Sequence, residues 1–320
     1  VTMDPHTWSD VATRYRTFMP LHLSKQMTIT TGNMERLGHW EVVLRALYFG
    51  IPGYDPRRNL LLEADGSPID LGRVFSLADD DAEMQGWLQT TGFLHLKGVL
   101  TKDEVEEFTQ EVERLSQDAV PDDPTTWWAT RPDGSRILHR IIYVSRRSPL
   151  LARLPNDPRL TRLAALLGSP TKAYLDRQRG LQLLIKPAGE LVGISNLPWH
   201  HDCWYEADPI TCPSITIGIQ VTGSNAQTGR FEVIPGSQGQ SVSPVLSPGE
   251  IDDWPRVGID TEPGDVTVHL HDVLHASPAP TGTGGRATVY MTYYPLVMGD
   301  HVEPGEEIAG LVIRRRTLSA

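Results

Sequence analysis

Two histidine-bearing stretches far apart in the chain set the strongest constraint on its fold: Trp199-His-His-Asp-Cys-Trp-Tyr205 and His269-Leu-His-Asp-Val-Leu-His275. In the first, His200 and Asp202 stand two residues apart, and on an extended segment side chains at i and i+2 leave the same face. In the second, Gly264-Asp265 opens a strand in which Val266, Val268 and Leu270 alternate with Thr267, His269 and His271, and His275 lies just past its end. Two imidazoles and one carboxylate on one side of a metal, with the other side open, form the facial triad of non-heme Fe(II) oxygenases. The expected ligands are His200, Asp202 and His275. His271 competes with His275 for the third position; Ser277 and then Arg286 follow His275 and favour it. His269 and His271 are expected in the strand or around the ligands. His301-Val-Glu303 also has a two-ligand spacing, but nothing downstream supplies a third ligand, and solvated surface is expected there.

The segments around these motifs are short, apolar and separated by Gly, Pro, Ser and Asn turns. Strands are expected at 173–176, 180–186, 214–221, 230–234, 265–270 and 286–294, a pattern of sandwiches, barrels and jelly rolls. Upstream, Gly92 to Leu100 alternates as a strand. Thr101-Lys-Asp-Glu104 then reads as a capping box for an amphipathic helix over 102–117, with Val105, Phe108, Val112 and Leu115 on one face. Two more helices are expected, from Trp40 to Phe49 and from Pro158 to Leu167, each stopped by Gly and Pro. Residues 1–78 are weakly patterned and read as an extension packed on a single domain spanning 79–320. The loop from Pro244 to Pro263 is long enough to form a rim or lid.

Arg286 begins a strand in which Thr288, Tyr290, Thr292 and Tyr294 share its face, against Ala287, Val289, Met291 and Tyr293 on the other. A strand whose inward side is polar and aromatic suits the lining of a ligand cavity. A guanidinium pairs bidentately with a carboxylate, so Arg286 is expected to anchor an acidic co-substrate.

Composition narrows the partners. Hydrophobic residues at 39% and charged residues at 22% of 320 positions fit a globular enzyme with a substantial core. A formal net charge of -11 argues against a nucleic-acid or anionic-membrane partner, and no apolar run reaches membrane-span length. Cys203 and Cys212 lack zinc or redox spacing and are expected to pack; low cysteine usage fits a reducing compartment. Val1 to Trp8 carries neither the basic nor the apolar region of a signal peptide, so a cytoplasmic protein is expected. Oligomeric state is not expressed in the sequence.

Over about residues 86–296 the chain resembles the phytanoyl-CoA dioxygenase family of Fe(II)/2-oxoglutarate oxygenases. The resemblance rests on Gly92 to Leu100 with its helix, Leu184-Ile-Lys-Pro187 before Trp199-His-His-Asp202, Gly229 to Ser237, Gly264-Asp265, Leu274-His-Ala-Ser277 and Arg286. It implies a mainly β, double-stranded β-helix (jelly-roll, cupin-like) core with flanking helices, and Fe(II) held by His200, Asp202 and His275. Arg286 with Ser277 would bind the distal carboxylate of 2-oxoglutarate. Gln182 matches a position near that co-substrate, as does the segment 138–142, where Arg140 is the residue assigned. Trp204, Tyr205, Tyr290 and His201 are the candidates for the substrate pocket, with Trp127 and Trp128 as further aromatics. The implied reaction oxidises a C–H bond of a small organic molecule with O2, releasing succinate and CO2. Halogenating relatives lack the carboxylate ligand, so Asp202 points to hydroxylation or a related oxidation. Three departures stand out: Gly218 at an aromatic position, Gln238 where many members have His, and Pro280 in place of a frequent Asn. Two alternatives stay open: a cupin-like metalloenzyme that does not use 2-oxoglutarate, and a non-catalytic binding protein on a degenerate barrel.

Overall fold

The computed structural model describes residues 1–13, 16–51, 53–63, 65–173, 175, 179–189, 196–202, 214–240, 242–243, 246 and 249–296. Helices α1 (Pro5–Ala12), α2 (Phe18–Leu23) and α3 (Met34–Phe49) come first, then α4 (Asp81–Thr91), strand β1 (Phe93–Leu96) and α5 (Lys102–Gln117). Strands β2 (Thr126–Thr130) and β3 (Arg136–Ile141) precede α6 (Pro158–Ala165). The remainder is β4 (Thr171–Ala173), β5 (Gln182–Lys186), β6 (Leu197–His200), β7 (Ile215–Gln220), β8 (Phe231–Val233), β9 (Val257–Ile259), β10 (Val266–Leu270), β11 (His275–Ser277) and β12 (Arg286–Pro295).

Local chemistry accounts for the helix ends. Thr101 and Glu104 form the expected reciprocal capping box, and α5 covers the expected residues. Helix α3 starts six residues before the expected Trp40, because the Asn33 side chain accepts from the Arg36 amide; it ends, as expected, at Gly50 in the left-handed conformation. Five described strands lie outside the expected set: the hairpin β2–β3, then β6 and β11, and β9, which lies inside the segment expected as the loop 244–263 and pairs with β8. The hairpin turn is Asp133-Gly134, with Gly134 at φ 84° and the Asp133 carboxylate accepting from the Ser135 amide. The strand expected at 173–176 is observed at Thr171–Ala173, sharing only Ala173 with the expected span; residues 174 and 176 lie outside the described set.

All named strand pairings are antiparallel. A major sheet runs β1-β10-β7-β12-β5-β3-β2, with β4 on the end of β12, and a minor sheet runs β6-β11-β8-β9. Together they make the jelly roll. Each major strand turns its apolar side outward: Ile217 and Ile219 of β7, Val266 and Val268 of β10, and Val289, Met291 and Tyr293 of β12 pack with Met84, Leu88, Phe108, Leu115, Leu160 and Leu163 of α4, α5 and α6. That layer is the main core, so the period of two sends Thr216, Gly218 and Gln220, Thr267 and His269, and Thr288 and Tyr290 to the inner face. The polar side of the major sheet thus faces the minor sheet. Helices α1 to α3 share a smaller core of Val11, Phe18, Leu21 and Met27.

Asp265 ties β10 to the edge of the barrel. Its carboxylate meets His95 Nε2 at 2.9 Å and accepts from the amides of Gly98 at 3.0 Å and Glu262 at 2.9 Å. Burial alone would raise this carboxyl, but His95 and the two amides outweigh it and hold it below the usual value. Its stabilisation is therefore present above the unfolded-state value and lost as pH falls through the lower folded one. Asp265→Asn, with one acceptor oxygen and no charge, should lower unfolding free energy by about 2 kcal/mol near neutrality. Urea titrations from pH 7 downward should show the gap to wild type narrowing in acid.

Candidate metal centre

The register of the minor sheet creates the centre. His200 of β6 and His275 of β11 are direct cross-strand partners, so their rings emerge side by side with centroids 4.2 Å apart. Each Nδ1 meets a carbonyl two residues back in its own strand region, Pro198 O at 2.7 Å and Val273 O at 3.0 Å. A carbonyl only accepts, so each Nδ1 carries the hydrogen and each Nε2 presents a lone pair. Asp202 follows β6 and is anchored by its amide, which donates to His271 O at 2.8 Å. Its Oδ1 lies 3.6 Å from His200 Nε2 and 4.0 Å from His275 Nε2. One donor atom from each of the three residues falls within 4.8 Å of the others. Trp199 and Leu274, one residue before each histidine, point the opposite way and pack with Ile234, Val242, Tyr54 and Trp254.

The electrostatics favour a cation here. Burial, reinforced by the charges of His200 and His269, keeps the His275 imidazole well below its ordinary pKa, neutral and able to ligate. Burial would raise the Asp202 carboxyl, but the contacts of His200 and His269, then the neighbouring imidazoles of His275 and His271, outweigh it and hold it well below the carboxylate range. A neutral-imidazole, carboxylate donor set suits a divalent first-row metal such as Fe(II).

A cationic pocket adjoins the centre on β12 and β5. The Arg286 guanidinium is 2% exposed and donates to Ser277 Oγ at 2.7 Å and Thr288 Oγ1 at 2.9 Å. Its Nε has no hydrogen-bond partner, and no carboxylate pairs with it among the described residues. Thr288 in turn donates to Gln220 Oε1 at 3.1 Å, and Ser277 Oγ donates to Gly229 O at 2.9 Å. Lys186 is the cross-strand partner of Arg286 and is also buried, its Nζ donating to the carbonyls of Ser277 and, at 2.7 Å, of Pro278. Arg140 donates to Gln182 Oε1 at 3.1 Å with its guanidinium 5.1 Å from the Trp127 ring centre. A buried guanidinium that no described carboxylate pairs with is costly, and Arg286, with Lys186 and Arg140 nearby, matches a carboxylate in charge and hydrogen bonding.

The phytanoyl-CoA dioxygenase (PhyH) family matches residues 88–288. The chain belongs to this family. It is 30% identical over 158 residues to ectoine dioxygenase of Bordetella bronchiseptica, covering 48% of each chain. To ectoine dioxygenase of Streptomyces coelicolor it is 29% identical over 155 residues, covering 47% of this chain and 48% of that one. The chain spans about half the length of the curated relatives it matches. Among solved structures, EctD from S. alaskensis with bound Fe superposes with a TM-score of 0.60 at 22% identity, over 79% of this chain and 85% of that one. The non-heme alpha ketoglutarate dependent epimerase SnoN from nogalamycin biosynthesis gives 0.54 at 23% identity, over 67% and 82%. At these identities the likeness is one of fold.

Two departures from the PhyH pattern have physical explanations. Gly218 of β7 is the cross-strand partner of Tyr290, and a Cβ there would lie 2.5 Å from Tyr290 Cε1. The Tyr290 ring thus occupies the room left by the missing side chain and supplies an aromatic wall from the neighbouring strand. Gln238 turns away from the metal residues, its Nε2 donating to Gln89 O at 2.8 Å. Pro280 is buried, and nothing in the structure explains its exchange for Asn. His201 is buried beside His200, whereas Trp204 and Tyr205 lie outside the described residues, as do Cys203, Cys212 and His301-Val-Glu303. In the sequence Lys186 belongs only to the Leu184-Ile-Lys-Pro187 motif; a lone lysine directly after the apolar run Leu183 to Ile185 is the signal that marks it as more than a surface charge.

Two predictions follow from this geometry. Burial first, then the charges of Arg286 and Arg140, push the Lys186 ammonium down to about 6 from an ordinary 10.5. Between those values the unfolded chain holds a proton that the folded one lacks, so this group makes stability rise with pH across that window. In Lys186→Met the rise should be absent, and melting temperatures from pH 6 to pH 9 should show wild type gaining relative to the variant. Gly218→Ala should displace Tyr290 and cost about 1–3 kcal/mol; pairing it with Tyr290→Ala should return much of that, which a double-mutant cycle measures.

Proposed function

We propose that this protein is an Fe(II)/2-oxoglutarate-dependent oxygenase that oxidises a C–H bond of a small organic molecule. The observation that carries this is the juxtaposition of the His200, Asp202 and His275 donor set with a buried Arg286 guanidinium that no carboxylate pairs with among the described residues. His200, Asp202 and His275 would hold the iron. Arg286 and Ser277 would take the distal carboxylate of 2-oxoglutarate, with Lys186 steadying the carbonyls of the Ser277-Pro278 segment beside them. Gln182, fixed by Arg140, and the Tyr290 ring complete that side. Iron with 2-oxoglutarate and O2 supplies the oxidising power, the co-substrate leaving as succinate and CO2. The chain's own task is to orient both substrates and keep water out of the site.

Family membership and the jelly-roll core support this assignment. Ectoine heads the substrate screen, because the curated relatives carry that name. We assign substrate choice to residues 1–78, as an extension of a single domain, and to the described residues of 238–263, which back the metal residues. Tyr54 and Trp254 meet there at 4.8 Å between ring centres, and Asn59 bonds the turn after β8 through Gly236 O. No described helix is long and apolar enough to cross a membrane.

Anaerobic addition of Fe(II) and then 2-oxoglutarate to the apo-protein should produce a weak visible charge-transfer band that needs both, and that His200→Ala and His275→Ala abolish. Arg286→Met should raise the 2-oxoglutarate dissociation constant about ten- to hundredfold, the range expected for one charge-assisted pair. Metal binding without the band would sink the 2-oxoglutarate assignment and favour a cupin-like metalloenzyme on the same ligands.

A further inference from the structure

The four imidazoles around Asp202 fall into two pairs. Oδ1 faces the expected ligands, His200 and His275, whereas Oδ2 faces His269 of β10 and His271 just past its end. His269 Nε2 is 3.5 Å from Oδ2 and His271 Nε2 is 3.9 Å from it. These two histidines are not equivalent. His271 Nε2 is satisfied by Thr216 Oγ1 at 2.8 Å, with Thr292 Oγ1 at 3.3 Å. His269 is 3% exposed, and neither of its ring nitrogens has a hydrogen-bond partner.

A buried imidazole always carries at least one N–H, and leaving it unsatisfied costs about 1–3 kcal/mol. Among the described residues, the Asp202 carboxylate is the one acidic group near that ring, a few tenths of an ångström beyond the usual N–H···O range. The ring itself is held in place. It lies 4.6 Å from His275 and 4.9 Å from Phe231, centre to centre, while its strand is paired on both sides, to Phe93 and to Thr216. His269 thus reaches across the barrel from the major sheet to the ligand set of the minor sheet.

We propose that His269 is a positioning residue of the metal centre, donating from Nε2 to Asp202 Oδ2 so that Oδ1 alone is directed at the ion. This rests on the metal centre proposed above. It makes the carboxylate a one-oxygen ligand by construction and gives the major sheet a direct hold on the iron site. Outer partners of metal ligands of this kind typically affect metal affinity by about ten- to hundredfold.

The test is anaerobic Fe(II) titration of wild type, His269→Phe and His269→Gln, together with the melting temperature of each apo-protein and the position of the Fe(II)–2-oxoglutarate band. Phenylalanine keeps the ring against His275 and Phe231 but removes the donor; glutamine keeps an N–H near the Nε2 position. His269→Phe should bind Fe(II) about ten- to hundredfold more weakly and shift the band, while its apo melting temperature stays level or rises, since unpaired buried nitrogens are gone. His269→Gln should recover much of the affinity. Wild-type affinity and an unshifted band in His269→Phe would overturn the proposal while leaving the metal centre standing. Weak binding by both variants would also overturn it, assigning His269 to direct ligation. Wild-type protein that binds no Fe(II) removes the centre and the proposal together.

Discussion

The pairing of β6 with β11 is the constraint on which the site depends. Antiparallel pairing opposes His200 and His275 directly, and the side-chain period of two sends both rings to the inner face and both preceding residues, Trp199 and Leu274, to the outer one. A slip of one residue would put a tryptophan in the centre and a histidine in the apolar cluster with Tyr54 and Trp254. The register is protected from both sides: apolar packing penalises the slip outside, and the Nδ1 contacts to Pro198 and Val273 orient the rings inside. A break in register between His275 and Ser277 shifts the ladder, so that Ser277 pairs with Leu197 while its Oγ meets Arg286.

The barrel reverses the usual disposition of a sheet. Its apolar side faces outward and is covered by α4, α5 and α6, while threonines, glutamines, histidines, Arg286 and Lys186 occupy the space between the sheets. Beside the apolar cluster of Phe93, Phe231, Val233, Ile259 and Val273, several of these polar groups lack partners. Lys186 gives up its proton, the Arg286 Nε lacks a partner, and His269 has two unsatisfied nitrogens. The outer hydrophobic layer carries the stability of the fold, and the inner layer is left poised for a cation and an anion that would relieve these deficits. Unfavourable groups concentrated at one place, inside an otherwise well-packed protein, mark a site shaped for binding.

Much of this was legible in the chain. Thr101 and Glu104 announced α5 because a capping box is complete within four residues. The alternation in 286–294 announced which face of β12 is polar, and Gly264-Asp265 announced the start of β10. The hairpin β2–β3 was equally local, yet its wide spacing from the histidine motifs hid its part in the major sheet. The role of Lys186 and the fit of Tyr290 over Gly218 could not be read in the same way. Each depends on which residue stands across the sheet, and the partners, Arg286 and Tyr290, are separated from them by 100 and 72 positions (286 − 186 and 290 − 218).

By itself the sequence determined the class of fold, the strand periods, the helix ends and the residue types a metal and a dicarboxylate require, because those follow from neighbours along the chain. Only the tertiary structure decided which histidine lies opposite which, that Asp202 sits among four imidazoles, and that Arg286 and Lys186 are buried side by side with no described carboxylate paired to Arg286. Those outcomes follow from cross-strand register and solvent exclusion, which arise only when distant segments close into one barrel.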